Sequence, residues 1–311
     1  MKNVNCIGSC LVDILLSPVA NYPEPKVRTS IFVEKLKSSP GGGAANCSLT
    51  LANMGIHVNL FSKVGNDLHG DYLQEKFNIA GIRTKNTLIR TERKSTSTVI
   101  VCVDPRGERS FLSYHGALSE FRLKDIDFEE LYASEILLYP DLFNLPMIDG
   151  RPLCNLLENA QQRGIVTVLD ETWGVSGLQK DVLEACLPFV DYLMPSADDL
   201  AYLYPNEKPE ELARLFIRKG VQNVIFKLGA EGALIMNNER TFKVPAIANT
   251  NEVIDTTGAG DNFSAGFVYG LSLGHSLESC SVLGSKTAAL SIKQLGASVR
   301  KEDLKSLLKE I

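Results

Sequence analysis

Short apolar segments alternate with longer helical patterns along most of this 311-residue chain. Between several of these segments, residues 151–163 and 210–219 carry apolar side chains at the three- and four-residue spacing of an amphipathic helix. The alternation predicts an α/β fold, in which helices cover a mostly parallel central sheet. The predicted strands are residues 5–8, 58–61, 135–138, 166–169, 192–194 and 223–227.

Two regions interrupt this alternation. Residues 27–37 and 95–114 alternate apolar and polar side chains without a long helix between them, which is typical of antiparallel strands. A turn at Asp-Pro-Arg-Gly, residues 104–107, divides the second region into a hairpin. We therefore predict one domain over residues 1–311, with these strands inserted into it.

Composition excludes several classes of partner. A net charge of −5 gives no electrostatic reason to expect nucleic acid or an anionic membrane. No apolar run approaches the roughly 18 residues of a membrane span, and the first residues lead directly into a strand without a signal peptide. The seven cysteines contain no Cys-x-x-Cys pair and favour reduced thiols. The expected location is the cytoplasm.

Residues 255–261, Asp-Thr-Thr-Gly-Ala-Gly-Asp, join a run of small residues to a helical pattern. Gly258, Ala259 and Gly260 allow successive backbone N–H groups to receive an anion, helped by the helix dipole. Asp261 is an unfavourable residue beside an anion, which suggests a base that touches a substrate hydroxyl next to a reacting phosphate. Taken alone, an N-cap in a tight turn explains Asp261 equally well.

A second glycine-rich loop covers residues 38–46, Ser-Ser-Pro-Gly-Gly-Gly-Ala-Ala-Asn, and also runs into a helix. Its glycines would let a small ligand lie against the backbone, and Asn46 offers a donor and an acceptor to a hydroxylated ligand. A flexible loop packed on a helix is the alternative.

Together the two loops resemble the ribokinase-like (PfkB) carbohydrate kinase family. Gly41, Gly42 and Asn46 match its early Gly-Gly-x-x-x-Asn loop, and residues 255–261 match its late Asp-Thr-x-Gly-Ala-Gly-Asp motif without a gap. Further matches extend the resemblance over nearly the whole sequence, at residues 63–70, 227–232 and 290–297. The resemblance implies a ribokinase-like fold and transfer of the γ-phosphoryl group of ATP to a sugar hydroxyl. It also implies that the strands within residues 27–37 and 95–114 form a small lid over the sugar, through which two copies of the chain form a homodimer.

The expected catalytic groups are Asp261 as the base and the amides of Gly258, Ala259 and Gly260 as the anion hole. Asp13 follows the first strand, where open α/β sheets bind ligands, and the family also places an acid there. The expected sugar-binding residues are Asp13, Gly42, Gly43, Asn46 and, with a solvated loop acid as an equal alternative, Asp141.

The nucleotide and metal assignments come mainly from the resemblance. Lys227 and Gly229 lie where a strand ends in a sharp turn and could meet phosphate or ribose. The remaining expected nucleotide-binding residues are Gly232 and Ser285. Ser196 and Asp199 would bind Mg²⁺ through water, whereas Asp255, Thr257 and Gly296 match positions where family members hold K⁺.

Two departures from the family bear on substrate and metal. The usual Asn-x-x-Glu element appears as Ser-Ala-Asp-Asp at residues 196–199, which shortens the reach to a metal. The common Asp-Pro-Asn motif becomes Asp-Glu-Thr-Trp at residues 170–173, and Trp173 stands near where sugar-acid kinases carry an arginine. We expect a neutral ribose- or fructose-like sugar. A 2-keto-3-deoxygluconate-type sugar acid and a nucleoside are the alternatives.

Two other functional classes also suit an alternating α/β chain. A non-catalytic sugar or nucleotide sensor would explain the altered residues 196–199, but it has little reason to keep Asp261 in an anion loop. A dinucleotide-dependent oxidoreductase should carry Gly-x-Gly-x-x-Gly after the first strand, and residues 8–13 lack it.

Overall fold

The computed structural model describes residues 2–20, 30–106, 108–172, 179–247 and 252–309. Thirteen strands and ten α-helices are assigned within these ranges. The strands are β1 Val4–Ile7, β2 Leu11–Ser17, β3 Lys35–Gly41, β4 Val58–Gly65, β5 Leu88–Thr91, β6 Thr98–Val103, β7 Arg109–Tyr114, β8 Ile136–Leu142, β9 Val166–Glu171, β10 Tyr192–Leu193, β11 Asn223–Lys227, β12 Ala233–Asn237 and β13 Thr241–Val244. The helices are α1 Gly43–Asn53, α2 Leu68–Ala80, α3 Phe128–Leu131, α4 Arg151–Gln162, α5 Gln179–Cys186, α6 Ala197–Leu203, α7 Pro209–Arg218, α8 Ala259–Ser272, α9 Leu277–Ser291 and α10 Lys301–Leu308.

Nine strands form the central sheet in the order β13-β12-β11-β10-β9-β8-β1-β4-β5. The seven strands from β11 to β5 are parallel. Strand β12 runs antiparallel to β11, and β13 runs antiparallel to β12 and therefore in the direction of the other seven. Six of these parallel strands coincide with the segments predicted from the sequence. The prediction of an α/β fold is therefore confirmed.

The core lies in two layers, one on each face of the sheet. Along β1, Val4 and Cys6 belong to one apolar cluster and Ile7 to the other, as the alternation of side chains in a strand requires. The first cluster includes residues of α1, α8 and α9, and the second includes residues of α4, α5 and α7. Within the described ranges, no helix combines the length and apolar character needed to cross a bilayer.

A second sheet has the order β3-β2-β6-β7. It contains the strands expected to form a lid and is called the lid sheet below. The hairpin strands β6 and β7 lie within residues 95–114, as expected, and Gly107 of their turn lies outside the described residues. The first inserted strand begins later than predicted, at Lys35 rather than near residue 27, and residues 27–29 are not described.

One lid strand was missed. The sequence interpretation read residues 8–13 as the end of the first strand and a following loop, whereas Leu11–Ser17 is strand β2. It forms because β2 pairs with both β3 and β6, and these partners are distant in sequence. Asp13 therefore lies on the lid and not at the edge of the central sheet.

Candidate active site

The two glycine-rich loops meet where α1 packs on α8. The Nδ2 group of Asn46 donates to Oδ2 of Asp261 at 2.7 Å, and the Oγ1 group of Thr50 donates to Oδ1 of Asn262 at 2.6 Å. Both helices begin at a glycine with positive φ, Gly42 at 92° and Gly258 at 70°, which other residues rarely adopt. Their N-terminal ends therefore face one shared cleft.

Asn262 fixes the predicted anion loop, residues 255–261, by hydrogen bonds from its side chain. Its Nδ2 group donates to the carbonyl oxygens of Gly258 and Ala297, each at 2.8 Å. A Cβ atom added at Gly258 would lie 2.3 Å from Cβ of Ala297, so this position has no space for a side chain. The loop conformation is thus fixed by close packing as well as by backbone freedom.

The three predicted anion-hole amides are not equivalent. The N–H group of Ala259 donates to the carbonyl of Thr256 at 3.2 Å, inside the turn. Over the described parts of the chain, the amides of Gly258 and Gly260 have no protein acceptor. Two N–H groups at the positive end of α8 are consequently left to receive a ligand anion.

A lysine lies directly beside this loop. Lys227, the last residue of β11, has its Nζ atom 3.3 Å from where a Cβ atom would stand on Gly260. Its ammonium group contacts both carboxylate oxygens of Asp170, at 2.6 and 2.8 Å, and Ser264 of α8 also donates to this carboxylate, at 2.7 Å. Asp170 is the penultimate residue of β9 and was not identified as a site residue. It fixes the lysine charge next to the amides.

Asp261 lies in the first turn of α8 and is only partly exposed to solvent. Its pKa is raised to about 7, mainly by burial and also by the charges of Asp141 and Asp170, while the hydrogen bond from Asn46 and the charge of Lys227 act in the opposite direction. A carboxyl group with a pKa near neutrality can both accept and release a proton at physiological pH.

Two further groups at this end of the cleft can bind a hydroxylated ligand. The Oδ1 atom of Asn46 is buried and has no hydrogen-bond partner among the described residues. Asp13 lies against the glycine-rich loop, because a Cβ atom on Gly41 would stand 2.1 Å from its Oδ2 atom. Burial, together with the charge of Asp255, raises the pKa of Asp13 to about 7.

Asp141 is placed differently from the expectation. It lies inside β8 rather than after it, and it is 1% exposed. Its carboxylate accepts hydrogen bonds from the backbone amides of Ser9, Gly43 and Ala44 and from the Ser9 hydroxyl. These four donors use the full acceptor capacity of the group. Asp141 therefore positions the start of α1, which contradicts the interpretation as a solvated loop acid.

A group of acids lies beside the lysine. Glu171 ends β9, and its Oε1 atom accepts the backbone N–H of Ser196 at 2.8 Å. The pKa of Glu171 is raised to about 8, mainly by burial and also by the charges of Asp170 and Asp199. Glu171 was not identified from the sequence, although it brings a carboxylate to the altered Ser-Ala-Asp-Asp element.

Apart from Lys227, the predicted nucleotide-binding residues lie in two places, the turn after β11 and helix α9. Gly229 begins an exposed turn after β11, at φ 56°. Gly232 closes the same turn against the backbone, because a Cβ atom there would lie 2.0 Å from the carbonyl of Val244. Ser285 lies on α9, and its buried hydroxyl has no partner in the described structure. The amide of Gly232 donates to the carbonyl of Gly229 at 3.1 Å, whereas no hydrogen bond of the described residues joins Ser285 to either glycine.

Asp255, Thr257 and Gly296 do come together. The two oxygens of Asp255 accept the backbone amides of Thr257 at 2.8 Å and of Gly296 at 2.7 Å. Arg109, from lid strand β7, also contacts the Asp255 carboxylate at 2.5 Å and donates to Oγ1 of Thr257 at 2.7 Å. The sequence interpretation missed Arg109, because nothing nearby in the chain indicates its distant partners.

Comparison with known proteins places this geometry in context. The pfkB family carbohydrate kinase description matches residues 1–303. An ATP-dependent 6-phosphofructokinase from Thermoanaerobacterium thermosaccharolyticum is 25% identical, over 98% of this chain and 92% of that protein. A ribokinase from Bacillus subtilis is 26% identical, over 96% of this chain and 95% of that protein. The structure of ribokinase from Thermotoga maritima superposes with a TM-score of 0.84 at 26% identity, over 99% of this chain and 100% of that chain. The expected ribokinase-like fold is confirmed.

The role of Asp141 can be tested by Asp141→Asn. The side-chain amide of the new asparagine would place its own N–H donors against the backbone N–H groups that the Asp141 carboxylate accepts. The free energy of unfolding, measured by urea titration, should therefore fall by about 2–3 kcal/mol. Asp71→Asn is the control. The exposed carboxylate of Asp71 pairs with Arg90, and an exposed ion pair adds less than about 1 kcal/mol to the free energy of unfolding. Unchanged stability together with a raised KM for the sugar would instead identify Asp141 as a substrate ligand.

The raised pKa of Asp261 predicts a pH dependence of stability. The unfolded chain ionises this carboxyl near its usual pKa of 3.8, whereas the folded protein retains the proton up to about pH 7. Stability attributable to Asp261 should therefore fall as pH rises between these values, by about 1–3 kcal/mol in total. Urea unfolding of the wild type and of Asp261→Asn from pH 4.5 to 8 checks this. Parallel pH profiles of the two proteins would contradict the assignment.

Proposed function

The chain belongs to the pfkB family of carbohydrate kinases, and we propose that it transfers the γ-phosphoryl group of ATP to a hydroxyl of a small neutral sugar, ribose- or fructose-like. The observation that carries this proposal is the 2.7 Å contact between Asn46 and Asp261, because it joins the two glycine-rich loops at one point. At that point the carboxylate of Asp261 lies close to Lys227 and to the backbone amides of Gly258 and Gly260, which have no protein acceptor among the described residues. We place the reaction in the cytoplasm, where ATP is abundant.

Asp261 acts as the base in this proposal. With a pKa of about 7, much of the Asp261 carboxyl is ionised at neutral pH. The ionised form is also a stronger base than an ordinary carboxylate, so it can accept a proton from an attacking hydroxyl. The hydrogen bond from Asn46 holds one carboxylate oxygen, so the other is directed to the substrate. The nucleophile thereby becomes oriented toward the N-terminus of α8.

The amides of Gly258 and Gly260 receive the oxygens of the transferred group. Phosphoryl transfer needs positioned positive charge more than covalent chemistry, because charge is redistributed over the phosphoryl oxygens in the transition state. Lys227 adds a full charge beside Gly260, and Asp170 prevents this charge from swinging into solvent. Ala259 contributes through the helix dipole, since its own N–H is engaged with Thr256.

The acids beside Lys227 fit a magnesium ion that arrives with the nucleotide. Magnesium prefers oxygen ligands and usually keeps several waters and substrate phosphates. Glu171, Ser196 and Asp199 would hold it, and a cation would relieve the repulsion that helps to raise the pKa of Glu171. Among the described residues no ready-made metal cluster is present, which agrees with binding through water. Bound magnesium would neutralise phosphate charge.

On the nucleotide side, the proposal keeps Gly229 and Ser285 in different roles. The unpartnered, buried hydroxyl of Ser285 offers a hydrogen bond to a ligand group such as adenine. Gly229 leaves an open turn beside Lys227, where ribose or phosphate could approach the backbone. Gly232 shapes the same turn by its close packing.

The acceptor is proposed to be neutral because acids surround its site. Asp13 and the Oδ1 atom of Asn46 are acceptors that suit sugar hydroxyls, and Gly42 and Gly43 allow the sugar to approach the backbone. Asp13 and Asp261 would both repel a carboxylated or phosphorylated sugar. The arginine that could attract such a group, Arg109, is already paired with Asp255. Trp173, the other residue bearing on this choice, lies outside the described residues.

A homodimer through the lid is a further part of the proposal. Strand register places Leu36 beside Leu16 and Leu112 beside Ile100 on one face of the lid sheet, opposite the face that carries Asp13. Leu36 is 68% and Leu112 59% exposed. A second copy of the chain would cover this apolar face, and strand β7 offers an edge for the contact.

Asp261→Asn tests the catalytic proposal. ADP release is measured with ATP and magnesium against ribose, fructose, fructose 6-phosphate, 2-keto-3-deoxygluconate and adenosine. We expect turnover with a neutral sugar, and a fall by about 10²–10⁴ in Asp261→Asn with folding preserved. Asp71→Asn should match the wild type.

Three outcomes would change the proposal. Near-normal turnover in Asp261→Asn would count against the base. A preference for the sugar acid, the phosphorylated sugar or the nucleoside would replace the neutral acceptor. Negligible rates for both proteins with every acceptor, accompanied by sugar binding in calorimetry, would favour the non-catalytic sensor.

Leu112→Glu tests the dimer. A charge on the apolar lid face should convert a dimer to a monomer, as measured by size-exclusion chromatography with light scattering. Ile79→Glu is the control, because Ile79 is 70% exposed on α2 and does not belong to the lid sheet. A wild-type protein that is monomeric at micromolar concentration would refute the proposed dimer.

A further inference from the structure

The lid reaches the anion loop through Arg109. This residue begins β7, on the same face of the lid sheet as Phe111, and its side chain is 21% exposed. One terminal nitrogen lies 2.5 Å from Oδ1 of Asp255 and the other 2.7 Å from Oγ1 of Thr257. The guanidinium group thus contacts two of the three residues that the resemblance assigned to a potassium ion.

The two carboxylate oxygens of Asp255 also accept backbone amides. The amide of Thr257 donates to Oδ1 of Asp255, and the amide of Gly296 donates to Oδ2. Gly296 therefore presents an N–H group here, which cannot bind a cation. The neighbouring carbonyl of Leu295 accepts Nζ of Lys37, another lid residue, at 2.6 Å. A potassium ion needs several such oxygens at once, so these residues do not fit it in the conformation described.

The charge at this point is nevertheless compensated. Asp255 is 2% exposed, and an ionised carboxylate at such depth requires a positive partner or several donors. The amides of Gly296 and Thr257 and the guanidinium group of Arg109 supply these partners, at 2.7, 2.8 and 2.5 Å. The arginine therefore supplies the counter-charge of this carboxylate.

We propose that Arg109 takes the place of a monovalent cation beside Asp255, so that the anion loop of this protein is ordered without potassium. Arg109 is a positioning residue, since it contacts the segment that leads into Gly258 and not the reacting atoms. A fixed guanidinium supplies the charge permanently and binds two oxygens with defined geometry. A potassium ion would add a dissociable component.

The location of the arginine adds a consequence that a bound ion would not have. Because Arg109 belongs to the lid, its charge reaches Asp255 only when the lid sheet lies over the cleft. Opening of the lid would withdraw the counter-ion and leave a buried carboxylate uncompensated. Order in the anion loop is therefore coupled to closure over the acceptor.

The inference rests on the proposed kinase function for its activity readout, so the primary measurement is thermal unfolding. The melting temperature Tm is recorded in KCl and in N-methyl-D-glucamine chloride at one fixed ionic strength. For the wild type we expect the same Tm in both salts. Arg109→Gln should have a lower Tm in N-methyl-D-glucamine chloride and regain about 2–4 °C in KCl, because the exposed carboxylate can then bind the ion.

Two control variants separate this effect from a general loss of charge. Arg106→Gln changes an exposed arginine of the same hairpin that pairs with Asp104, and should behave as the wild type in both salts. Arg109→Lys retains a charge and should remain insensitive to potassium. With an accepted sugar, wild-type turnover should be equal in the two salts, whereas turnover of Arg109→Gln should fall by about tenfold or more and recover in KCl.

Two results would overturn the proposal. A wild-type Tm or turnover that rises in KCl would show that the protein binds the ion despite Arg109, and this result does not require the variant to fold. A folded Arg109→Gln without any response to potassium would show that Arg109 is not a substitute for the cation. Failure of every acceptor would refute the proposed function while leaving the Tm comparison valid.

Discussion

The site depends on how closely α1 approaches α8. Small residues at the contact allow Asn46 to reach Asp261 and Thr50 to reach Asn262, so that side chains from segments more than two hundred residues apart form direct hydrogen bonds. Asn262 then fixes the carbonyl of Gly258, which sets the direction of the anion-loop amides. A larger residue at this contact would separate the base from its orienting amide and also tilt the amides. Packing and catalytic geometry are thus one constraint.

A shortage of positive charge governs the chemistry of the cleft. Several acids lie in or near it, among them Asp141, Asp170, Glu171 and Asp261, and the charge of Lys227 acts on the last three. Backbone amides compensate Asp141, and Lys227 compensates Asp170, which leaves the pKa of Asp261 near 7 and that of Glu171 near 8. An ATP-bound magnesium ion would bring the missing charge. In the proposed reaction these acids would favour binding of the magnesium ion that accompanies the nucleotide, and they cost the free protein some stability.

The sequence alone predicted six of the nine strands of the central sheet and the two glycine-rich loops, because their signals are local, but not β5, β12 and β13. Apolar segments identify buried strands, and a run of glycines before a helix identifies an anion loop. It could not reveal the contacts that complete the site, since Lys227 and Asp170 are 57 residues apart, and Arg109 and Thr257 are 148 apart. Strand β2 was missed for the same reason, and Asp141 was misplaced because a buried acid in a strand has no local signature.

The lid links acceptor and nucleotide chemistry in one element. Register places Asp13, Lys37 and Arg109 on the same face of the lid sheet, and this face is turned toward the cleft. Asp13 is suited to the sugar, whereas Arg109 holds the segment before the anion loop. A sugar that draws the lid down through Asp13 would bring the arginine to Asp255 in the same movement. A closed lid without a sugar leaves the Asp13 carboxylate buried, which raises its pKa and disfavours that state. In the proposed reaction Asp13 would therefore favour closure over an acceptor and oppose closure over an empty site, which would suppress phosphoryl transfer to water.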